Sequence, residues 1–126
     1  MKAEELMKYK NWVVVGDVSN SIKYAYKILQ ELKQKGYNAS GVNPRGKSED
    51  VYINLKDVNY KIDVVDLCIN PVMGIGMLKE VRDLNIDKIL IQPGAGSNEI
   101  LDYCRKNGIA AIEGCALVEL SRKLNN

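Results

Sequence analysis

Short β-branched and aliphatic runs alternate with segments of helical periodicity along this chain, and that alternation leaves few folds open. Val13-Val14-Val15 ends at Gly16 and reads as a buried parallel strand. Ile22, Ala25, Leu29 and Leu32 then recur at helical spacing, and Gly36 supplies the stop. Asn38 to Val42 is a second strand, so strand, helix and strand fall within the length of one βαβ unit. Val51-Tyr52-Ile53 is readable as a short edge strand and Leu55 to Val58 as a turn of helix. Asp63 to Ile69 is a strong buried strand, followed by a helix from Pro71 with Met77, Leu78, Val81 and Leu84 on its apolar face. Lys88 to Ile91 is the next strand, broken by Pro93-Gly94-Ala95-Gly96. A helix from about Ser97 to Asn107, a strand from Ile109 to Ile112 and a helix from Cys115 to Leu124 complete the pattern. The first ten residues can form a short leading helix.

Such a series predicts an α/β fold: a Rossmann-like, doubly wound parallel sheet of about five strands with helices on both faces. The 126 residues are expected to form one domain. Hydrophobic residues make up 46% and charged residues 27%, which is ordinary globular composition. A net charge of +2 gives no strong field toward nucleic acid or membrane, and no apolar run is long enough to span a bilayer. Acidic Glu4 and Glu5 spoil a secretory signal. The three cysteines, Cys68, Cys104 and Cys115, cannot all pair within one chain, so reduced thiols and a cytoplasmic setting are expected. Histidine is absent, which removes imidazole as base, metal ligand or phosphoryl carrier.

Ligands of open α/β sheets sit beyond the carboxyl ends of the strands. Four loops occupy that edge here, and all are rich in Gly, Pro, Asn or Ser. The first, from Gly16 to Ser21, opens a helix; free N–H groups and the helix dipole suit an anion there, and Ser19, Asn20 and Ser21 add hydrogen-bonding groups. Ser19 or Ser21 could equally cap the helix. The second loop carries Asn43, Pro44, Arg45 and Lys47 where a NAD site would place an acid, and a basic loop suits a ribose phosphate instead. As single residues, Arg45 and Lys47 also fit a solvated turn. Residues 22–47 hold five lysines and one arginine against one acid, whereas residues 48–66 hold two lysines against five acids. In the third and fourth loops Met73 and Met77 could flank an adenine or fill the core. Gln92 could bond a ligand or its own loop, and Gly94 permits a tight turn. Cys115, at a helix start, is either a thiol of lowered pKa or an inert half-buried one.

These stretches together resemble the small CoA-binding domain family, whose members are similar to the N-terminal Rossmann domain of the succinyl-CoA synthetase alpha subunit. The resemblance is carried by V-V-V-G-D-V-S-N-S at 13–21, Tyr24, V-N-P-R-G-K at 42–47, V-D-L-C-I-N-P at 65–71, I-Q-P-G at 91–94 and Glu113-Gly114-Cys115. It implies coenzyme A or an acyl-CoA as ligand. Gly16, Val18, Ser19 and Ser21 would then line the diphosphate and pantetheine. Asn43, Pro44 and Lys47 would face the 3′-phosphate, Ile69 and Pro71 would lie near the adenine, and Gln92 and Gly94 would close the cleft. Asn20, Tyr24, Arg45, Met77 and Cys115 join the set of binding candidates. The synthetase reaction uses a phosphohistidine on a second domain, and this sequence contains no histidine, so it is not expected to run that reaction alone. Nor does the sequence offer Ser19 a histidine base, and acids such as Asp17 and Asp66 form no evident acid–base pair. The expectation is a non-catalytic CoA-binding protein whose partner is a small nucleotide ligand, not nucleic acid or membrane. A nicotinamide-binding regulatory domain, a CoA-thioester enzyme working with a partner chain, and a homodimer stay open as alternatives.

Overall fold

The computed structural model describes residues 1–46 and 50–124. Six strands form one all-parallel sheet: β1 (Asn11–Gly16), β2 (Asn38–Val42), β3 (Val51–Tyr52), β4 (Val64–Cys68), β5 (Lys88–Ile91) and β6 (Ala110–Glu113). Their order is β3-β2-β1-β4-β5-β6. The chain winds outward from β1 to β3 and then returns to the other side of β1, which makes the β1–β4 junction the switch point. The expectation of about five strands falls one short, because the two-residue β3 pairs with Gly41 and Val42.

The strands bury both faces, and alternation sorts their side chains. Val13 and Val15 of β1, Val65 and Leu67 of β4, and Ile89 and Ile91 of β5 meet helices α3 (Pro71–Asp83) and α4 (Asn98–Lys106) through Met77, Leu78, Val81 and Ile100. Trp12, Val14, Val64 and Leu90 point the other way. There they meet α1 (Ala3–Leu6), α2 (Tyr24–Gln34) and α5 (Ala116–Leu124) through Leu6, Ile28, Leu32 and Leu120. Trp12 is fully buried; its Nε1 donates to the Tyr9 carbonyl at 2.8 Å, and its ring meets Tyr37 edge-on.

Two helices differ from the sequence pattern. Ile22 was expected on the buried stripe of α2 but lies before the helix and is 77% exposed; Ile28 takes its place. Leu84 follows the last residue of α3 and is exposed, while Ile86 fills the core below it.

At the switch point the backbones of β1 and β4 touch. A Cβ built on Gly16 would lie 2.3 Å from the Cys68 carbonyl oxygen and 3.1 Å from Ala25 Cβ, so only glycine fits. One strand over, a Cβ on Gly41 would lie 2.5 Å from Val18 Cγ2, so Val18 folds back over β2 into the core. Gly16→Ala is therefore expected to cost about 1–3 kcal/mol by overpacking. Gly76→Ala, in the exposed interior of α3 with nothing within 4 Å, should instead gain roughly 0.5–1 kcal/mol. Urea midpoints of the two variants should move in opposite directions; a parallel shift would refute the close-approach account.

Among the described residues three polar side chains are buried, Asp66, Gln92 and Glu119, and Asp66 alone of the three lacks a hydrogen-bond partner. Asp66 of β4 lies between Val14 and Leu90, is 0% exposed, and neither carboxyl oxygen has a hydrogen-bond partner. Burial raises its pKa well above the usual carboxylate range. In the unfolded chain this group titrates near ~3.9. Above that pH the unfolded state gives up a proton that the folded state keeps, so this group's contribution is full in acid and is lost as pH rises toward the folded value. The amide of Asp66→Asn does not titrate. Stability of the variant relative to the parent should therefore increase from pH 4 toward neutrality, as read by denaturant unfolding at several pH values. A gap that stays constant with pH would show that Asp66 titrates normally.

Candidate functional site

The carboxyl ends of β1, β2 and β4 frame a cleft of about 530 Å³. Lys23, Tyr24 and Ala25, at the start of α2, form one wall; Asn43 and Arg45 form another; Cys68, Ile69 and Asn70 form the third. Asp17 lies beside the α2 wall.

The wall at α2 follows from a loop that closes on itself. Val18 N–H donates to the Gly16 carbonyl at 2.9 Å, Ile22 N–H donates to Asn20 Oδ1 at 3.2 Å, and Lys23 N–H donates to the Asn20 carbonyl at 2.9 Å. Ser19, Asn20 and Ser21 are exposed along this loop, and neither serine is the helix cap. The N-cap is Lys23, whose side chain can donate but not accept, so it makes no capping bond. The start of α2 thus brings N–H groups and a lysine to the cleft together. By contrast, α3 is capped: Asn70 Oδ1 accepts from Met73 N–H at 3.0 Å, with Pro71 as first helical residue.

A turn after β2 presents the second cation. Asn43 N–H donates to the Tyr52 carbonyl at 2.8 Å, and its Oδ1 accepts from Arg45 N–H at 3.0 Å. Arg45 Nε lies 2.8 Å from Met73 Sδ, spanning from the end of β2 to the first turn of α3. Among the described residues, neither Lys23 nor Arg45 enters an ion pair. Pro44 is half-buried behind the turn, and Lys47 lies outside the described residues.

Cys68 is the thiol of this cleft. Burial, then the nearby Asp66 and Cys115, push its pKa up to about 12, so at neutral pH it is protonated and a weak nucleophile. Cys104, in the other core, is pushed up to about 11 by burial.

A second cleft of about 550 Å³ opens at the ends of β5 and β6, between the Gln92–Asn98 loop and Glu113-Gly114. Gln92 and Gly94 belong here. Gln92 is buried, and its Oε1 accepts from Ala116 N–H at 2.8 Å, so it anchors the start of α5. Cys115 is half-buried immediately before α5 and lines neither cleft. Met77 is 5% exposed within the core and lines neither cleft; its side chain fills the space between α3 and the sheet. Gly16 and Val18 are buried and line neither cleft; Gly16 packs on Cys68 and Ala25, and Val18 packs on Gly41.

The sequence reading therefore gathers Tyr24, Asn43, Arg45 and Ile69 at one cleft and Gln92 and Gly94 at the next. It left out Asp17, Lys23, Cys68 and Asn70 of the first cleft. Asn70 carried a readable signal, since Asn before Pro is a helix N-terminus. Among the described residues no group of His, Cys, Asp or Glu could hold a metal, and no helix is long and apolar enough to cross a membrane.

Comparison with solved structures returns the same architecture. A conserved hypothetical protein from Pyrococcus furiosus is 30% identical, with 88% of this chain and 99% of that chain covered and a TM-score of 0.80. A protein from Thermus thermophilus is 25% identical over 93% and 92% of the two chains, with a TM-score of 0.84. A hypothetical protein from Pyrococcus horikoshii is 23% identical over 96% and 88%, with a TM-score of 0.86, and shows the fold alone. No curated protein matches the sequence. The sequence itself matches the CoA binding domain family from residue 10 to residue 121, and with nearly the whole chain inside that match, this protein belongs to the CoA binding domain family.

Proposed function

We propose that this protein binds coenzyme A or an acyl-CoA across the carboxyl edge of its sheet and performs no reaction on it by itself. The observation that carries this reading is the convergence of the α2 N-terminus, Lys23 and Arg45 on one cleft at the switch point. Helix N–H groups and two cations that make no ion pair among the described residues suit a ligand with a diphosphate and a further ribose phosphate. Tyr24, at the first turn of α2, lines the cleft and is 66% exposed, and Ile69 lines the opposite wall. A planar base laid on that surface covers apolar area that is otherwise wet. Membership of the CoA binding domain family supports the same ligand.

A nicotinamide dinucleotide fits less well. Among the described residues, the end of β2 carries Asn43 and Arg45 and no carboxylate to grip ribose hydroxyls. The chemistry present supports a non-catalytic role. The cleft's thiol is held protonated, the nearby Asp66 is sealed in the core, and histidine is missing from the sequence.

Ligand at ~100 times its Kd should stabilise the fold by roughly 2.7 kcal/mol and raise Tm by several degrees. NAD at equal concentration should do much less. A flat melting curve across millimolar CoA, or an equal shift with NAD, would defeat the reading.

The two cations should also separate by ligand. Arg45 sits at the end of β2, where the ribose lies in this fold, so Arg45→Ala should weaken CoA by roughly 3- to 30-fold and leave dephospho-CoA nearly unchanged. Lys23, at the helix start, should read the diphosphate, so Lys23→Ala should weaken both ligands alike. Titration calorimetry of both variants against both ligands measures this; equal losses in Arg45→Ala would mean that Arg45 does not contact the 3′-phosphate.

A further inference from the structure

The second cleft differs from the first in charge. Its walls are Gln92, the Pro93–Asn98 loop, Leu101 and Glu113-Gly114, and Glu113 is the ionisable side chain among them. A Cβ on Gly96 would lie 3.9 Å from Glu113 Oε2, so the carboxylate stands against the loop that begins α4. That helix end would otherwise attract an anion. Here Ser97 Oγ already accepts from Ile100 N–H at 3.1 Å, and the Glu113 carboxylate supplies the negative charge beside it. Glu99, exposed in the first turn of α4, adds a further acid outside. The first cleft, by contrast, presents two cations, Lys23 and Arg45, against one acid, Asp17.

The two clefts lie on one edge. Gln92 N–H donates to the Leu67 carbonyl at 3.0 Å, so the end of β5 adjoins the end of β4 directly. From β4 to β6 is two strand spacings, about 10 Å. A flexible pantetheine arm leaving the first cleft can cross that distance, and its thioester end then arrives beside Glu113.

We propose that Glu113 selects the charge of the acyl group, so that this protein takes CoA derivatives with neutral or cationic acyl ends and disfavours those ending in a carboxylate. The inference rests on the placement of the nucleotide end in the first cleft. An acyl carboxylate in the second cleft would face Glu113 with no lysine or arginine among the described lining residues to offset it. Glu113 is exposed, which keeps the effect modest, and salt should erode it.

Thioether analogues of equal reach give the test, because they do not hydrolyse during titration. S-butyl-CoA should bind the parent protein roughly threefold to tenfold more tightly than S-carboxypropyl-CoA at low salt. S-aminopropyl-CoA should bind at least as well as S-butyl-CoA. Glu113→Gln should bring the three together, Glu113→Lys should reverse their order, and free CoA should bind all three proteins equally. Glu113 is exposed, so neither variant should disturb the fold, and thermal melts check that. Free CoA binding with no discrimination among the analogues overturns the role of Glu113 alone, as does discrimination that survives in Glu113→Gln. Failure of free CoA to bind overturns the nucleotide placement beneath it, and this inference with it.

Discussion

The parallel pairing of Gly16 with Cys68 is the contact on which the rest of the molecule depends. Two backbones approach there more closely than any side chain on Gly16 would permit. Because β1 and β4 are adjacent while their onward connections diverge, no loop can cover their ends, and a cleft at that place is a consequence of topology. The loop leaving β1 cannot turn straight into a helix. It first sends Val18 down onto Gly41, runs through the exposed Ser19–Ile22 stretch and starts α2 only at Tyr24. The position of the helix start over the cleft follows from that detour.

Neighbouring helix starts on this edge have opposite chemistry. Asn70 closes the start of α3 with its own side chain, and Ser97 does the same for α4. Lys23 cannot act so at α2. Ion pairs among the described residues lie elsewhere, at exposed or half-exposed places such as Arg105–Asp102 and Lys35–Glu31, where they contribute little to stability. At the β1–β2 end Lys23 and Arg45 make no ion pair among the described residues, whereas the starts of α3 and α4 are closed by their own cap side chains.

Much of this was legible in the sequence, and the failures have physical causes. Strands buried on both faces leave dense aliphatic runs, so β1, β4 and β5 stand out in V-V-V, V-V-D-L-C and K-I-L-I. The start of α2 was misread because residues 22, 25, 29 and 32 fit helical spacing as well as the true buried set of Ala25, Ile28, Leu29 and Leu32. The periodicity of one helix does not say where its first turn begins. Met77 stayed open between core and ligand in the sequence because methionine serves both; in the fold it lies buried between α3 and the sheet. Asp66 carried no mark of its isolation, since the cover that seals it comes from β1, β5 and the helices beyond them. Asn43 and Arg45 were legible because a turn after a parallel strand fixes where its side chains must go.

The anchoring bond of Gln92 also sets the grammar of the second cleft. A backbone N–H can only donate, so the bond from Ala116 fixes which end of the side-chain amide is oxygen and commits that oxygen inward. What Gln92 retains for a visitor is its NH2 group. A carbonyl or hydroxyl oxygen arriving there finds a donor, whereas an amide N–H finds another N–H and must turn away. For a ligand bound there, the wall would read the orientation of a polar chain as well as its presence, and the same side chain holds the start of α5 in place.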